Sequence, residues 1–430
     1  MARRVFVTGL GVVSAAGIGI EPLWAAVTSG QSKLAPITSF DPAGFDVRIA
    51  GEVADFKANK IVPKSYRKAT KVMARDIELA VGAADGAVRN AGLITPGIES
   101  EQPRTYEGPR TGAHIGAGLI AAELDELAGA LASSRDAGGK FDIHHWGGAG
   151  MMNLTPLWLL KYLPNMLACH VTIIHDCQGP SNTITCGEAS GGLSIAESVR
   201  VLQRDKADLC FCGGAESKIN PMAFYRQIMT GRLSGKGEVK PFDQSASGTL
   251  IGEGGGIITI EAQDTLKARG GRAYAAILGY GASMSLSSRS GIDAEPDGEG
   301  LAGAMMQALA DASVKAGDIS AIVAYGSGNP AHDRGEAAAL KRVFGQAIPA
   351  TFSSKPYIGN CGAGAGGIDV AIGCKMIAEQ VMPAVIGCET PIDGMSSAKS
   401  AASHSATINH VLVVSTSLGG QNVAIVLGRV

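Results

Sequence analysis

Apolar and polar positions alternate along this chain in a way that predicts strands and helices in turn. Residues 4–14 and 208–217 have the composition of buried strands that end in glycine turns, and residues 273–280 begin a further strand of the same kind. Residues 69–93 instead carry helical apolar spacing and end at Ala91-Gly92-Leu93, a helix-stop sequence. Strands that alternate with helices predict an α/β protein with parallel-type sheets.

One stretch, residues 179–193, organises the rest of the chain. It begins with alternating Thr and Ile, passes through a small-residue turn at 187–192 and enters a helical apolar pattern at Leu193. Such an arrangement holds one residue at a helix N-terminus, where backbone N–H groups and the helix dipole favour an anion or oxyanion. The layout is typical of a presented nucleophile, and an ordinary strand-to-helix turn explains the pattern about equally well.

Composition narrows the classes of function. The chain has 430 residues, 46% of them apolar and 18% charged, and its formal net charge of −2 gives no reason to expect nucleic acid or an anionic membrane as a partner. No apolar run is long enough to span a bilayer, and the N-terminus lacks the apolar region of a signal peptide.

None of the eight cysteines stands in a CxxC pair, which favours reduced, buried thiols in a cytoplasmic protein and no metal site. The glycines at 9 and 11 do not extend to a dinucleotide-binding motif, so we expect no cofactor.

Several motifs together resemble the β-ketoacyl synthases. Residues 3–14 are similar to that family's opening strand, Ala189-Ser190-Gly191 to the residues after its nucleophile, and 241–243 with 252–256 to a further family signature. The resemblance covers nearly the whole chain and implies an α/β thiolase-like fold, a duplicated α/β/α/β/α architecture of five layers. It places an N-terminal half at 1–262 and a C-terminal half at 263–430. We detect no sequence repeat between the halves, so the duplication follows from the resemblance alone.

The same resemblance locates the catalytic positions, and three of them are changed. The family uses a Cys that takes the acyl chain as a thioester, two His that donate hydrogen bonds to the malonyl thioester carbonyl, and a Lys that supports one His. Here Glu188 stands for the Cys, Tyr325 for the first His and Asn360 for the second, while Lys355 is kept. A carboxylate cannot form the thioester that a thiolate forms.

These changes resemble the chain-length factor (ketosynthase β) subunits of type II polyketide synthases. The resemblance implies a non-condensing subunit of a polyketide or fatty-acid-like synthase that shapes the acyl channel of an active ketosynthase. Its partners would be that ketosynthase, in a heterodimer, and an acyl carrier protein. The strand at residues 182–185 would pair across the dimer, with the β-prone run at 171–174 supporting the contact. Many such subunits have Gln at the elbow, so Glu188 departs from the pattern.

Other interpretations stay open at this point. Glu188 is a salt-bridged structural residue, which we prefer, or a base or an anchor for a cationic substrate. An enzyme with atypical chemistry at Glu188, decarboxylation or acyl transfer, is the alternative function, although an ionised Glu188 would repel a malonyl carboxylate. A homodimer with an unrelated binding role is a third. Cys186 as a displaced nucleophile is less favoured than a structural thiol, and we expect His332 on the surface or behind the site.

Overall fold

A single mixed sheet forms the framework of the computed structural model, which describes residues 3–285 and 295–430. Ten strands of three or more residues build it, and the two-residue strand Gly17–Ile18 pairs with the first of them. In chain order these strands are β1 (Val5–Ser14), β2 (Thr111–Ala117), β3 (Ser181–Ile184), β4 (Leu209–Ser217), β5 (Glu253–Ala262), β6 (Ala275–Met284), β7 (Ala321–Val323), β8 (Ala350–Phe352), β9 (His410–Thr416) and β10 (Gln421–Gly428).

The sheet contains the same strand pattern twice. Its order is β8-β7-β9-β10-β6-β1-β5-β4-β2-β3. From β1 outwards, β5 and β4 run antiparallel to their inner neighbours, and β2 and β3 are parallel to theirs. From β6 outwards, β10, β9, β7 and β8 repeat this sequence of directions. A short antiparallel contact between β1 and β6 joins the two halves.

Helices cover both outer faces of the two half-sheets and fill the space between them. They are α1 (Ile20–Ser29), α2 (Arg75–Asn90), α3 (Leu124–Ala132), α4 (Ile143–His145), α5 (Trp158–Tyr162), α6 (Met166–His175), α7 (Ser190–Gln203), α8 (Pro221–Met229), α9 (Gln263–Ala268), α10 (Glu299–Ala312), α11 (Pro330–Phe344), α12 (Lys355–Ile358) and α13 (Ala365–Glu379). Helices α7 and α13 pack against each other and contact strands of both halves, whereas α2 and α10 lie on opposite outer faces. The five layers of the predicted thiolase-like fold are therefore present. The domain boundary at 262/263 stays a prediction, because the halves share one hydrogen-bonded sheet.

A short sequence repeat accompanies the duplication, although the sequence alone showed no clear repeat. The pattern Cys-Gly-x-x-x-Gly-Gly occurs at 186–192 and again at 361–367. Each copy forms a 3₁₀ turn, Gly187–Ala189 or Gly362–Gly364, that leads directly into a central helix. We name these the first turn and the second turn. The repeat is too short to stand out in a chain with 59 glycines.

Glycine is needed in both turns for the same two reasons. Gly187 and Gly362 each have φ of +55°, a left-handed conformation that side chains with a Cβ disfavour. Further along, a Cβ on Gly191 would lie 2.7 Å from the carbonyl oxygen of Ala363, and one on Gly366 would lie 2.5 Å from the amide nitrogen of Gly192. The two turns therefore approach each other backbone to backbone at the centre of the molecule.

The strands expected in residues 4–14, 208–217 and 273–280 are present as β1, β4 and β6, and the helix expected in residues 69–93 is present as α2. The β-prone run at 171–174 is part of helix α6, so it adds no strand beside β3. Residues 133–150 contain α4 and a π-helical turn, Trp146–Gly150. Among the residues that the structure describes, no helix is long and apolar enough to cross a membrane.

Candidate functional site

The first turn places Glu188 at the centre of the protein. Strand β3 ends at Ile184, the positive φ of Gly187 reverses the chain, and α7 begins at Ser190. This is the predicted strand, turn and helix. Glu188 is only 2% exposed, so its carboxylate needs partners within the protein.

Three donors from two other segments converge on one oxygen of that carboxylate. Both terminal nitrogens of Arg232 lie near Oε1, Nη1 at 3.3 Å and Nη2 at 3.4 Å, and Asn360 Nδ2 donates to the same atom from 3.3 Å. Glu188 and Arg232 form a buried ion pair whose side chains are 3% and 9% exposed. The salt-bridged interpretation of Glu188 thus has a specific partner.

The ion pair holds Glu188 in its charged form. Burial raises the pKa of Glu188, but the Arg232 guanidinium and then the Lys218 ammonium lower it by more, and the outcome is about 2. The backbone N–H of Glu188 itself, in the turn before α7, lowers the pKa further. Glu188 is therefore a carboxylate at neutral pH, with no proton to give and little tendency to accept one.

Tyr325 and Asn360 bring the second half of the chain to the same place. Tyr325 follows β7, is 1% exposed and has its hydroxyl 3.3 Å from Asn360 Nδ2. The carboxylate of Glu336 accepts hydrogen bonds from the N–H groups of Tyr325 and Gly326, each at 2.8 Å, and so fixes this turn. Asn360 Oδ1 accepts the N–H of Gly362, which orients the amide so that its Nδ2 faces Glu188. Three of the four predicted site residues thus form one connected group.

Lys355, the fourth, lies close by but is engaged elsewhere. Its Nζ donates to Asp369 over 2.6 Å, and both side chains are completely buried. Nζ also lies 5.4 Å from the centre of the Tyr325 ring. Lys355 therefore contributes positive charge behind Tyr325 and ties the segment before the second turn to helix α13.

Two residues of the site add to the predicted set. Arg232 lies in the connection after α8, and no family motif marks it. A buried carboxylate such as Glu188 requires a cationic partner, but the sequence does not say which residue provides it. His332 is 8% exposed and packs edge-on against Tyr325, with ring centres 6.4 Å apart. Of its two expected positions, on the surface or behind the site, the first was therefore wrong. Burial, reinforced by Arg232, lowers the pKa of His332 to about 4, so it is neutral at pH 7.

Cys186 is not activated as a nucleophile. Burial raises the pKa of its thiol, which disfavours the reactive thiolate. Within residues 3–285 and 295–430, no group of three or more His, Cys, Asp or Glu side chains is arranged to hold a metal ion. The arrangement presents hydrogen-bond donors around a fixed carboxylate, with no group in the described part of the site positioned to form an acyl thioester.

Family models match most of the chain. The model of the β-ketoacyl synthase N-terminal domain matches residues 2–265, and that of the β-ketoacyl synthase C-terminal domain matches residues 274–389.

Individual relatives agree with these matches. The 3-oxoacyl-[acyl-carrier-protein] synthase 2 of Coxiella burnetii is 29% identical over 100% of this chain and 99% of its own length. The enzyme of the same name from Synechocystis is 28% identical over 90% of this chain and 89% of its own length. Among solved structures, the ishigamide ketosynthase/chain length factor superposes with a TM-score of 0.85 at 27% identity, covering 100% of both chains. A β-ketoacyl synthase from Burkholderia phymatum, with a TM-score of 0.84, 23% identity and 100% of both chains covered, shows the same fold.

Proposed function

We propose, from the premise that this chain belongs to the β-ketoacyl synthase family, that it is the non-condensing, chain-length-factor-like subunit of a type II polyketide or fatty-acid-like synthase. In this role it pairs with an active ketosynthase and shapes that partner's acyl channel. The observation that carries the proposal is the ionised Glu188 at the nucleophile position, held by Arg232 and Asn360. Its place of action, on this proposal, is the cytoplasm.

The edge of the sheet supports a pairing with another subunit. Strand β3 is the last strand on its side, and its first two residues, Ser181 and Asn182, are exposed. An exposed edge strand offers unpaired backbone groups to a partner strand. Most of the large apolar side chains that are exposed also lie in the segment between β2 and β3, namely Leu119, Leu124, Leu131, Phe141, Ile143, Met151, Met152, Leu157, Leu159, Leu160 and Ile173. Apolar exposure on this scale is typical of a protein–protein interface.

A basic surface segment supports the acyl carrier protein as a second partner. Between residues 55 and 71 the chain carries six exposed cationic side chains and a single acidic one, Asp55, in a protein whose net charge is −2. The cations are Lys57, Lys60, Lys64, Arg67, Lys68 and Lys71. A carrier protein with an acidic surface would be attracted to such a segment, mainly through its association rate. A solved complex of a type II synthase ketosynthase with its acyl-carrier protein, at 23% identity and a TM-score of 0.81, shares the fold of this chain.

The test of pairing is co-expression of the tagged chain with an active ketosynthase, followed by sizing of the complex and assay of product. We expect a heterodimer that makes product, whereas this chain alone neither condenses malonyl units nor carries an acyl group by intact mass. Met152→Asp, on the apolar segment, should abolish the complex. The control is Met306→Asp, because Met306 is also an exposed methionine but lies on α10, far from the segment in the chain.

Three outcomes would count against the proposal. They are a chain that stays monomeric beside the ketosynthase, equal loss of pairing in both methionine variants, and condensation or decarboxylation by this chain alone. The last would favour the enzyme alternative, atypical chemistry at Glu188, which is in keeping with the synthase names of its relatives.

For the carrier protein, the matched comparison is between two pairs of charge reversals. Arg67→Glu with Lys68→Glu should weaken carrier-protein binding by the heterodimer, measured at low salt. Lys267→Glu with Arg272→Glu, at exposed positions outside the basic segment, should not. Equal effects of the two pairs would show general charge attraction only and would contradict a docking role for the segment.

A further inference from the structure

The second turn, which repeats the backbone of the first, holds a carboxylate. In the second turn, Ala363 occupies the place that Glu188 has in the first, and its N–H donates to Glu216 Oε2 over 2.8 Å. Glu216 comes from β4 and is 4% exposed. The same turn geometry thus binds a carboxylate in the second half, and that carboxylate is supplied by another element.

In the first turn the carboxylate comes from the turn itself. Glu188 places Oε1 among Arg232 Nη1, Arg232 Nη2 and Asn360 Nδ2, at 3.3 to 3.4 Å. These distances are long for charge-assisted hydrogen bonds, in which the nitrogen and oxygen are usually about 2.7–2.9 Å apart. The donors therefore surround a position for a carboxylate, but their hydrogen bonds to Glu188 are longer than usual.

The site also has donor capacity that Glu188 does not use. Arg232 is 8% exposed, and its Nε has no hydrogen-bond partner in the described part of the chain. A buried N–H without a partner is costly, so the guanidinium is held there although its donors are only partly satisfied.

We infer that Arg232 and Asn360 form a carboxylate-binding site at the first turn, and that its ligand is the protein's own Glu188. The side chain occupies the donors that would otherwise meet a substrate carboxylate or an oxyanion, and it keeps this subunit's own pocket closed to acyl and malonyl groups. This inference rests on the proposed function for its biological meaning, because a closed pocket leaves substrate to the partner subunit. The site itself is a physical property of the single chain.

Removal of Glu188 gives a direct test with acetate. Glu188→Ala deletes a CH₂–COO⁻ group, which is the size and charge of acetate, and leaves the donors in place. We expect the full-length variant to melt at a lower temperature than the native chain. It should regain part of that loss in millimolar sodium acetate relative to sodium chloride at equal ionic strength and pH 7. The native chain should show no acetate-specific shift.

Two controls separate anion binding from cavity filling. Acetamide, a neutral molecule of the same shape, should not restore the melting temperature of Glu188→Ala. The double variant Glu188→Ala/Arg232→Met should lose the response to acetate. Equal responses of the native chain and the Glu188→Ala variant, rescue by acetamide, or rescue that survives the loss of Arg232 would each overturn the inference.

A second measurement keeps the inference testable if Glu188→Ala does not fold. Glu188→Gln preserves shape, and a double-mutant cycle with Arg232→Met reports the coupling between the two side chains. We expect the double variant to be more stable than the sum of the single losses predicts, whereas additive losses would contradict the site. Failure of either experiment leaves the pairing test with a ketosynthase untouched, and failure of pairing leaves these melting experiments unaffected.

Discussion

The two turns share their backbone and differ in chemistry. Both begin with Cys-Gly, both need a left-handed glycine, and both start a central helix. After the Cys-Gly pair, the first turn carries Glu188, which forms an ion pair with Arg232. The second turn carries Ala363 at the same place, and its N–H donates a hydrogen bond to Glu216 from strand β4. Small residues with the right φ are thus enough to build the turn, and the residue at position 188 or 363 decides whether its carboxylate comes from the turn itself or from another element.

Buried carboxylates and a buried ion pair fix the segments around the first turn. Glu336 fixes the turn that carries Tyr325, and Lys355 pairs with Asp369 in a fully buried contact. A buried ion pair is weak evidence for stability, but breaking one leaves an uncompensated charge and costs several kcal/mol. Under the proposed function, these residues keep structural roles in a subunit that does not condense.

The largest expected effect separates the two left-handed glycines. Alanine at either position adopts an unfavourable φ, which costs roughly 1–2 kcal/mol. At Gly362 the new Cβ would also lie 1.9 Å from Glu216 Oε2, whereas at Gly187 the nearest atom would be the Cβ of Ser417 at 3.1 Å. We expect Gly362→Ala to lower the free energy of unfolding by about 3 kcal/mol or more, because Glu216 must be displaced from its partners.

Gly187→Ala is the matched control, with an expected loss of about 1–2 kcal/mol. Denaturant unfolding of both variants measures the difference, and the slope of the transition checks that each still unfolds cooperatively. If both variants lose the same free energy of unfolding, the contact between residue 362 and Glu216 adds nothing to the cost of the positive φ. That result would contradict the difference that we infer between the two turns.

The next effect concerns the carboxylate of the first turn. Glu188→Ala leaves Arg232 without its anion. Because the donors lie 3.3 to 3.4 Å from Glu188 Oε1, which is long for a charged pair, we expect a loss of only about 1–3 kcal/mol in the free energy of unfolding. Product formed per folded heterodimer should stay unchanged, because the pocket performs no chemistry under the proposed function. Should Glu188→Gln abolish product while melting and assembly are unaffected, Glu188 acts chemically and the enzyme alternative would take precedence.

The sequence predicts those features of the first turn that depend on local patterns, but not those that depend on tertiary contacts. The first turn, its helix and the substituted positions 188, 325 and 360 follow from local composition and a family resemblance. Arg232 does not, because tertiary pairing of the chain around Leu233 and Thr249, distant from any motif, brings it to Glu188. The need for a buried cation was foreseeable from Glu188 alone, but its identity was not.

Two other outcomes, at residues 171–174 and at His332, have the same origin in tertiary structure. The β-branched run at 171–174 has strand propensity, yet it continues α6, in which Val171 and Ile174 are buried against the first half of the sheet. Context of this kind routinely overrides β-propensity. His332 follows a helix-start sequence that is typical of exposed residues, but the first turn of α11 faces the site, so the side chain is buried.

A smaller effect should appear on titration. Glu188 has a pKa of about 2 in the folded protein against an ordinary value of 4.5, so its ionisation stabilises the fold above pH 4.5, and this contribution is lost as the pH falls towards 2. Glu188→Gln removes the titrating group. We therefore expect the native chain to be more stable than the variant at pH 6, with the gap narrowing progressively below pH 4.5. Glu101→Gln, at an exposed carboxyl, is the control. A gap that is constant or widens towards low pH would contradict the assignment.

The smallest effect tests whether the donors around the first turn still act on a substrate. The Tyr325 hydroxyl lies 3.3 Å from Asn360 Nδ2, and Asn360 keeps its contact with Glu188 when that hydroxyl is removed. Tyr325→Phe should therefore cost about 0.5–1.5 kcal/mol of stability, the net contribution of an ordinary hydrogen bond.

Catalysis would give a different result for the same variant. Loss of one oxyanion donor in a working site typically lowers turnover by about 10²–10³-fold. If Glu188 fills the site, product formation by the heterodimer should be the same for Tyr325→Phe as for the native complex, at equal occupancy of the dimer. Tyr357→Phe is a suitable control, because Tyr357 is also fully buried but donates to the carbonyl of Ala384, away from the first turn. A selective loss of turnover in Tyr325→Phe would show that the two turns differ in function as well as in their side chains, with the first still active.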